Sequence, residues 1–316
     1  MSDFSLPGGI WAITTYFNPI GYTNRLQNYH RFRSHFSLPL VTVELSFDGK
    51  FHLEEGDADR LIQIHGRDVM WQKERLLNLA LKEVPADCDA VVWVDCDVII
   101  QPDDWAKQLL RSLQNHSLVH LFRTRYDIDR EALKGKPSSK EADSRGESIV
   151  HKIATGEAST EDFSSAQAWV TRGATLGLGW AARKAVLDQH GFYDACILGG
   201  ADRVMLCAAY GKFDSAIRSA SMNDASQRHF LEWARPFYGS VQGQVGYIPT
   251  EIFHLRHGSP ENRRYSQRYN MLEDFNPYED ISMAPTGCWQ WNSNKTQFHR
   301  QVVDYFKSRR EDDPSS

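Results

Sequence analysis

Three short stretches of the chain carry side chains able to do chemistry together. Asp95-Cys96-Asp97 closes the most apolar run, Ala90-Val-Val-Trp-Val94. Carboxylates one residue apart on an extended chain point to opposite sides unless the chain bends. One can take a hard cation while the other receives ligand hydroxyls or braces the loop. Glu251-Ile-Phe-His254-Leu-Arg-His257 ends a second apolar run and sets two imidazoles three residues apart. In a turn or a helical start both rings can face one cation. Arg256, Arg263, Arg264 and Arg268 follow, with only Glu261 nearby. That cluster suits phosphate oxygens, which guanidinium forks grip bidentately. Gly199-Gly200-Ala201-Asp202 opens a helical run. Its glycines permit unusual φ and leave room for a ligand ring, and a carboxylate there can take a proton from an attacking hydroxyl. Each stretch also has a plainer reading: a surface turn, a solvated basic helix with two incidental histidines, and a helix cap, for which Asp is well suited.

The elements that must position these residues follow from periodicity. Ile10–Phe17, Leu40–Leu45, Leu61–Ile64 and Ala90–Asp95 read as strands, and Asn24–Phe36 and Met70–Lys82 as helices. The run at Ala90 is apolar without alternation, as a central parallel strand buried on both faces requires. The alternation predicts an α/β fold: an open, mostly parallel twisted sheet flanked by helices. Ligands bind such sheets beyond the carboxyl ends of strands, where Asp95 and Asp97 fall. A helix at Trp105–Asn115, a strand at Leu118–Phe122, a helix stopped at Gly191 and a helix at Arg203–Tyr210 continue the pattern. One domain over 1–308 is expected. Within it, 123–165 is polar and breaker-rich and reads as a mobile insertion, either a lid or a plain loop. The charged stretch 309–316 reads as a disordered tail.

Composition removes several classes. The 316 residues are 41% hydrophobic and 24% charged, which excludes wholesale disorder. The net charge of −5 argues against a nucleic-acid partner. No apolar run reaches the ~20 residues of a membrane span, and Met1–Gly9 lacks the regions of a secretory signal. Five cysteines without a Cys-x-x-Cys pair argue against a disulfide framework or zinc ribbon and for a reducing compartment. A cytoplasmic protein is expected.

Together the stretches resemble a GT-A glycosyltransferase, specifically the beta-1,4-galactosyltransferase and polypeptide N-acetylgalactosaminyltransferase superfamily. The resemblance runs from about Ile10 to Asp280. It is carried by Gln72-Lys-Glu-Arg-Leu-Leu-Asn78 ahead of Val92-Trp-Val-Asp-Cys-Asp-Val-Ile99, by Gly177-Leu-Gly-Trp-Ala-Ala through Gly191-Phe to Gly199-Gly200-Ala201-Asp202, and by His254-Leu-Arg-His257. It implies Mn²⁺, or Mg²⁺ in its place, held by Asp97, His254 and His257 against the diphosphate of UDP-galactose or a UDP-N-acetylhexosamine. It implies Asp95 on the donor's ribose or sugar, and Arg25, Arg75 and Asn78 around the nucleotide, with Pro19 in the turn before Arg25. Arg263 joins the donor side as a phosphate-binding guanidinium. Asp202 matches the base of the inverting members, and Gly199 and Gly200 flank the acceptor. Ala201 replaces the family's Glu, and Leu198 stands where galactosyltransferases place an acceptor-stacking Trp, so the acceptor is expected to differ from terminal N-acetylglucosamine. Trp180 either supplies a sugar-stacking face or sits in the core. A glycan, a lipid-linked sugar or another hydroxyl compound fits as acceptor.

Three rivals are weighed. A sugar nucleotidyltransferase needs a Gly-rich basic signature near the first strand, and Ile10–Gly21 has none. A two-His, one-carboxylate iron oxygenase would need an all-β jelly roll. A degenerate transferase that binds a glycan or nucleotide sugar without turnover stays open because of Ala201.

Overall fold

Ala90–Val94 is buried at every residue, as a central strand without polar alternation must be. The computed structural model describes residues 9–133, 135–164, 173–265 and 267–313. Strands β1 (Ile10–Phe17), β2 (Leu40–Ser46), β3 (Arg60–His65) and β4 (Ala90–Val94) pair in parallel in the order β4-β1-β2-β3. Helix α1 (Thr23–Ser34) links the first two and α2 (Lys73–Leu81) the last two. After β4 come β5 (Val98–Gln101), α3 (Trp105–Ser112), β6 (Leu118–His120), β7 (Thr124–Ile128), β8 (Ala142–Ser148), β9 (Ala174–Thr175), β10 (Gly179–Arg183), β11 (Val245–Tyr247) and β12 (Glu251–Leu255). They extend the first sheet to seven strands, β11-β6-β10-β4-β1-β2-β3, and build a second of five, β5-β12-β7-β8-β9. In the larger sheet only β10 runs antiparallel to its neighbours. The α/β expectation therefore holds.

Both faces of the large sheet are covered. Ile13, Val41, Val43, Trp93 and Trp180 pack with α2 and the helix Ala201–Ala209. Ala12, Leu40, Val92, Val94 and Ala181 pack with Phe32 of α1 and Trp105 and Leu109 of α3.

Two expectations need correction. Residues 123–165 are not simply an insertion. They contain β7 and β8, and β7 is the parallel neighbour of β12. The polar texture misleads because much of β8 faces solvent; Lys134 and 165–172 lie outside the described residues. Residues 309–313 are not a loose tail either. Arg309 and Glu311 are buried, at 5% and 2% exposure, because their charges pair with each other and with the site described below. Residues 314–316 lie outside the described residues. No helix among the described residues is long and apolar enough to cross a membrane.

Candidate active site

The chain leaves β4 at Val94, turns through Asp95-Cys96-Asp97 and resumes as β5. β5 pairs antiparallel with β12, which sets His254 opposite Val98. The amide of Leu255 donates to the carbonyl of Asp97 at 2.8 Å. This register brings His254 beside Asp97, and His257 follows just past the strand end. Ligand atoms of Asp97, His254 and His257 lie within 4.8 Å of one another. His257 Nε2 is 3.0 Å from Asp97 Oδ2, and His254 Nε2 is 3.9 Å from it. Asp97 Oδ1 is buried with no hydrogen-bond partner among the described residues. A buried, unpartnered carboxylate oxygen is costly, and a cation would satisfy it. Two imidazoles and a carboxylate fit a divalent ion of mixed nitrogen and oxygen preference such as Mn²⁺ better than Mg²⁺, which favours oxygen.

On the far side of β12, β7 places Asp127 opposite His254. Asp127 Oδ1 accepts from His254 Nδ1 at 2.9 Å. In the neutral ring that bond leaves Nε2 as the lone-pair nitrogen facing Asp97. Arg125 lies 2.9 Å from Asp127 Oδ2, and Ser144 donates to it. Burial pushes both carboxyls up. It is outweighed at Asp97 by the hydrogen bond from His257 and the charges of His254 and His257, and at Asp127 by His254 and Arg125, so both are held well below the usual carboxylate range. Asp127 was not foreseen; nothing local in Thr124-Arg-Tyr-Asp-Ile128 marks it, because its partner lies on another strand.

A second charged group adjoins the first. Lys73, in the first turn of α2 and 9% exposed, reaches Asp95 Oδ1 at 2.6 Å and Asp202 Oδ2 at 3.4 Å. A lysine in a helix's first turn opposes the helix dipole, and that anomaly is the sequence signal that was overlooked. Asp202 is 25% exposed and sits inside the first turn of the helix Ala201–Ala209. The N-cap is Gly200, so Asp202 is not the cap. Glu74 is buried beside this group and accepts from Trp71 Nε1 at 3.1 Å. Burial pushes its carboxyl up to about 8, against the opposing charge of Lys73. Burial also raises Asp95, with Lys73 again opposing.

Asp97, His254 and His257 of the first group and Lys73 and Asp95 of the second line one cleft, while Asp202 stands outside its lining. Arg25, Lys73, Arg263 and Arg309 line it against the carboxylates Asp95 and Asp97. The lining holds more cations than carboxylates, but Arg25 and Arg309 already pair with Glu311 and Lys73 with Asp95, so an anionic ligand would compete with those carboxylates. Phe17 and Trp71 meet edge to face at 5.3 Å as an apolar wall. Arg263 Nη2 donates to the His257 carbonyl at 3.2 Å and lies 3.1 Å from His257 Nε2. Arg309 lies 5.3 Å over the Trp71 ring; it was missed because its stretch read as tail.

The remaining expected residues stand elsewhere. Pro19 sits in the turn after β1, outside the cleft lining. Arg75 donates to Gly287 O at 2.7 Å and pairs with Asp194 at 3.1 Å. Asn78 donates to Phe192 O and Asp194 and accepts from Phe192 N at 2.8 Å. Both tie α2 to neighbouring turns instead of lining the cleft. Trp180 is fully buried, stacks on His120 at 4.1 Å and donates to Leu176 O. It is a core residue, not a sugar platform. Gly199 and Gly200 have φ of 80° and 100°, which favours glycine. Their open faces are filled, however. A Cβ on Gly200 would lie 2.0 Å from the Tyr269 hydroxyl, and one on Gly199 would touch Trp71 and Arg268.

No family model and no curated protein matches the chain. Similar solved structures include glucosyl-3-phosphoglycerate synthase from Mycobacterium tuberculosis with Mn²⁺, UDP and phosphoglyceric acid, at 10% identity over 95% of this chain and 78% of that chain, TM-score 0.36. The same enzyme with Mg²⁺ and UDP matches at 10% identity over 90% and 86%, TM-score 0.38. S. aureus TarS 1-349 in complex with UDP-GlcNAc matches at 12% identity over 95% and 73%, TM-score 0.35. Likeness at these TM-scores assigns neither fold nor activity to this chain.

Proposed function

We propose that the chain is a metal-dependent glycosyltransferase of GT-A type. It moves a hexose or N-acetylhexosamine from a UDP-sugar to a hydroxyl acceptor on a glycan, a lipid-linked sugar or another compound. One observation carries the reading: Asp97, with an unpartnered buried oxygen, meets two imidazoles at the carboxyl end of the central parallel strand, inside a cationic cleft. Asp97, His254 and His257 would hold Mn²⁺, whose charge compensates the diphosphate leaving group. Arg25 and Arg263 add positive charge around the phosphates. Lys73, 3.4 Å away, aims Asp202, and Asp202 accepts the acceptor's hydroxyl proton as the new bond forms. Attack from the face opposite the diphosphate inverts the anomeric centre. The five cysteines are free, in keeping with a reducing cytoplasm.

A second reading, a binding protein without turnover, is favoured by one observation: Tyr269 and Arg268 fill the space beside Gly199 and Gly200. Thermal shift with UDP-galactose, UDP-N-acetylglucosamine and UDP-N-acetylgalactosamine, each with and without Mn²⁺, tests the proposal. A native-state ligand raises the melting temperature. A rise with one donor, only when metal is present, followed by release of free UDP, is expected. No rise with any donor overturns the proposal, and a rise without UDP release favours the binding protein.

A further inference from the structure

The helix Thr296–Ser308 hands the chain to residues 309–313, of which Arg309 lines the cleft. Asp312 accepts from the amides of Thr23 and Asn24, at 2.8 Å each, at the start of α1. The Arg310 amide donates to the Tyr22 hydroxyl at 3.0 Å. The turn after His257 is shaped to this crossing. Gly258 has φ 61°, and a Cβ there would come within 3.0 Å of Glu311 Cα. So anchored, Glu311 sends its carboxylate inward, 2% exposed. Its Oε2 is 2.5 Å from Arg25 Nε and 3.4 Å from His257 Nδ1, and its Oε1 is 2.6 Å from Arg309 Nη2.

A buried anion gripped by two guanidiniums beside a candidate metal ligand occupies the kind of place a phosphate takes. We propose that Arg25 and Arg309 form the seat of the donor's diphosphate, and that Glu311 holds this seat until the donor displaces it. The inference rests on the transferase reading. Arg309 is a buried cation and Arg25 a part-buried one, and both gain from a counter-anion whether or not ligand is present. A diphosphate and the Glu311 carboxylate together would crowd like charges into a poorly solvated site. One anion therefore exchanges for the other. The anchors at Asp312 and Tyr22 are exposed and can be given up to water, so residues 310–313 can leave while Arg309 stays in the seat.

The probe is inorganic pyrophosphate with Mn²⁺, titrated by calorimetry into the full chain. Asp312→Ala loosens the segment without touching the seat, and Glu311→Gln removes the competing charge. Both should bind pyrophosphate about tenfold tighter, within the usual span of coupling between competing contacts. In the wild type, saturating pyrophosphate should speed hydrogen exchange at the amides of Thr23, Asn24 and Arg310. Weaker binding in both variants would overturn the inference, because Glu311 would then be a brace for Arg25 and His257. Unchanged affinity in Asp312→Ala, or unchanged exchange at those amides, also overturns it, and both measurements stand if Glu311→Gln fails to fold. Tighter pyrophosphate binding without metal-dependent binding of any UDP-sugar would leave the exchange standing and sink the transferase reading. UDP-sugar binding with unaltered pyrophosphate affinity in Asp312→Ala would do the reverse.

Discussion

Asp95 and Asp97 leave the same strand two residues apart and meet opposite surroundings. Asp97 faces two imidazoles and keeps one buried oxygen without a partner. Asp95 is already closed by a 2.6 Å ion pair to Lys73, which also reaches Asp202. A carboxylate that the fold leaves incomplete awaits a ligand from outside. A carboxylate that the fold completes belongs to the scaffold that aims its neighbours. On the proposed reading the two halves would divide the work: one would receive charge, and the other would position a base.

The sharpest way to break that contrast is Asp97→Ala. Loss of the only carboxylate among the proposed ligands should abolish Mn²⁺-dependent UDP binding, read by calorimetry with and without metal. If the variant binds UDP with unchanged metal dependence, the incomplete half is not a metal centre.

Asp202→Asn tests the other half. Asn keeps size but loses basicity, and general-base catalysis typically contributes about 10²–10⁴-fold. Transfer should fall by at least ~10²-fold with UDP–Mn²⁺ binding and melting temperature near native. Full activity would leave Asp202 as a partner of Lys73 and nothing more.

A smaller effect separates the metal half from its support. Asp127 touches His254 on the side away from Asp97. Asp127→Asn should weaken Mn²⁺ affinity by about tenfold, at the low end of the range for such supporting carboxylates, since the amide can still accept from Nδ1. Equal Mn²⁺ affinity would mean that the β7–β12 register alone orients the ring.

The same contrast explains what could be read from the sequence. β1, β2, β3 and β4 were legible because apolar runs between turn signals are local information. Asp97, His254 and His257 were legible as chemistry, and the structure brings their ligand atoms together. Lys73, Asp127, Arg309 and Glu311 were not, since each works through a partner far along the chain, as Glu311 does with Arg25. Gly199 and Gly200 were misread for the converse reason. Glycine announces that a side chain is missing, but which residue fills the space, here Tyr269, is decided by folding. The helix Asp224–Val241 escaped notice although Asn223 caps it, because Pro236 lies inside it.

The smallest expected effect concerns Glu74, which lies beside the completed half. Its carboxyl is buried and pushed up to about 8, against the charge of Lys73. The sign follows from proton counting. Between its ordinary value and about 8, the folded chain holds a proton on Glu74 that the unfolded chain has released. Stability therefore falls as pH rises through that window, and the loss is complete above it. Glu74→Gln removes this linkage while retaining an acceptor for Trp71 Nε1. Melting curves from about pH 5 to about pH 9 should show the variant gaining on the wild type as pH rises, by about 2–4 °C for each kcal/mol of lost penalty. The gain should build up between about pH 5 and about pH 8 and level off above that. If the variant instead melts lower at alkaline pH, Glu74 is ionised in the fold and shares Lys73 with Asp95 and Asp202. The completed half would then hold three carboxylates around one lysine, and Asp202 would have less of that charge to itself.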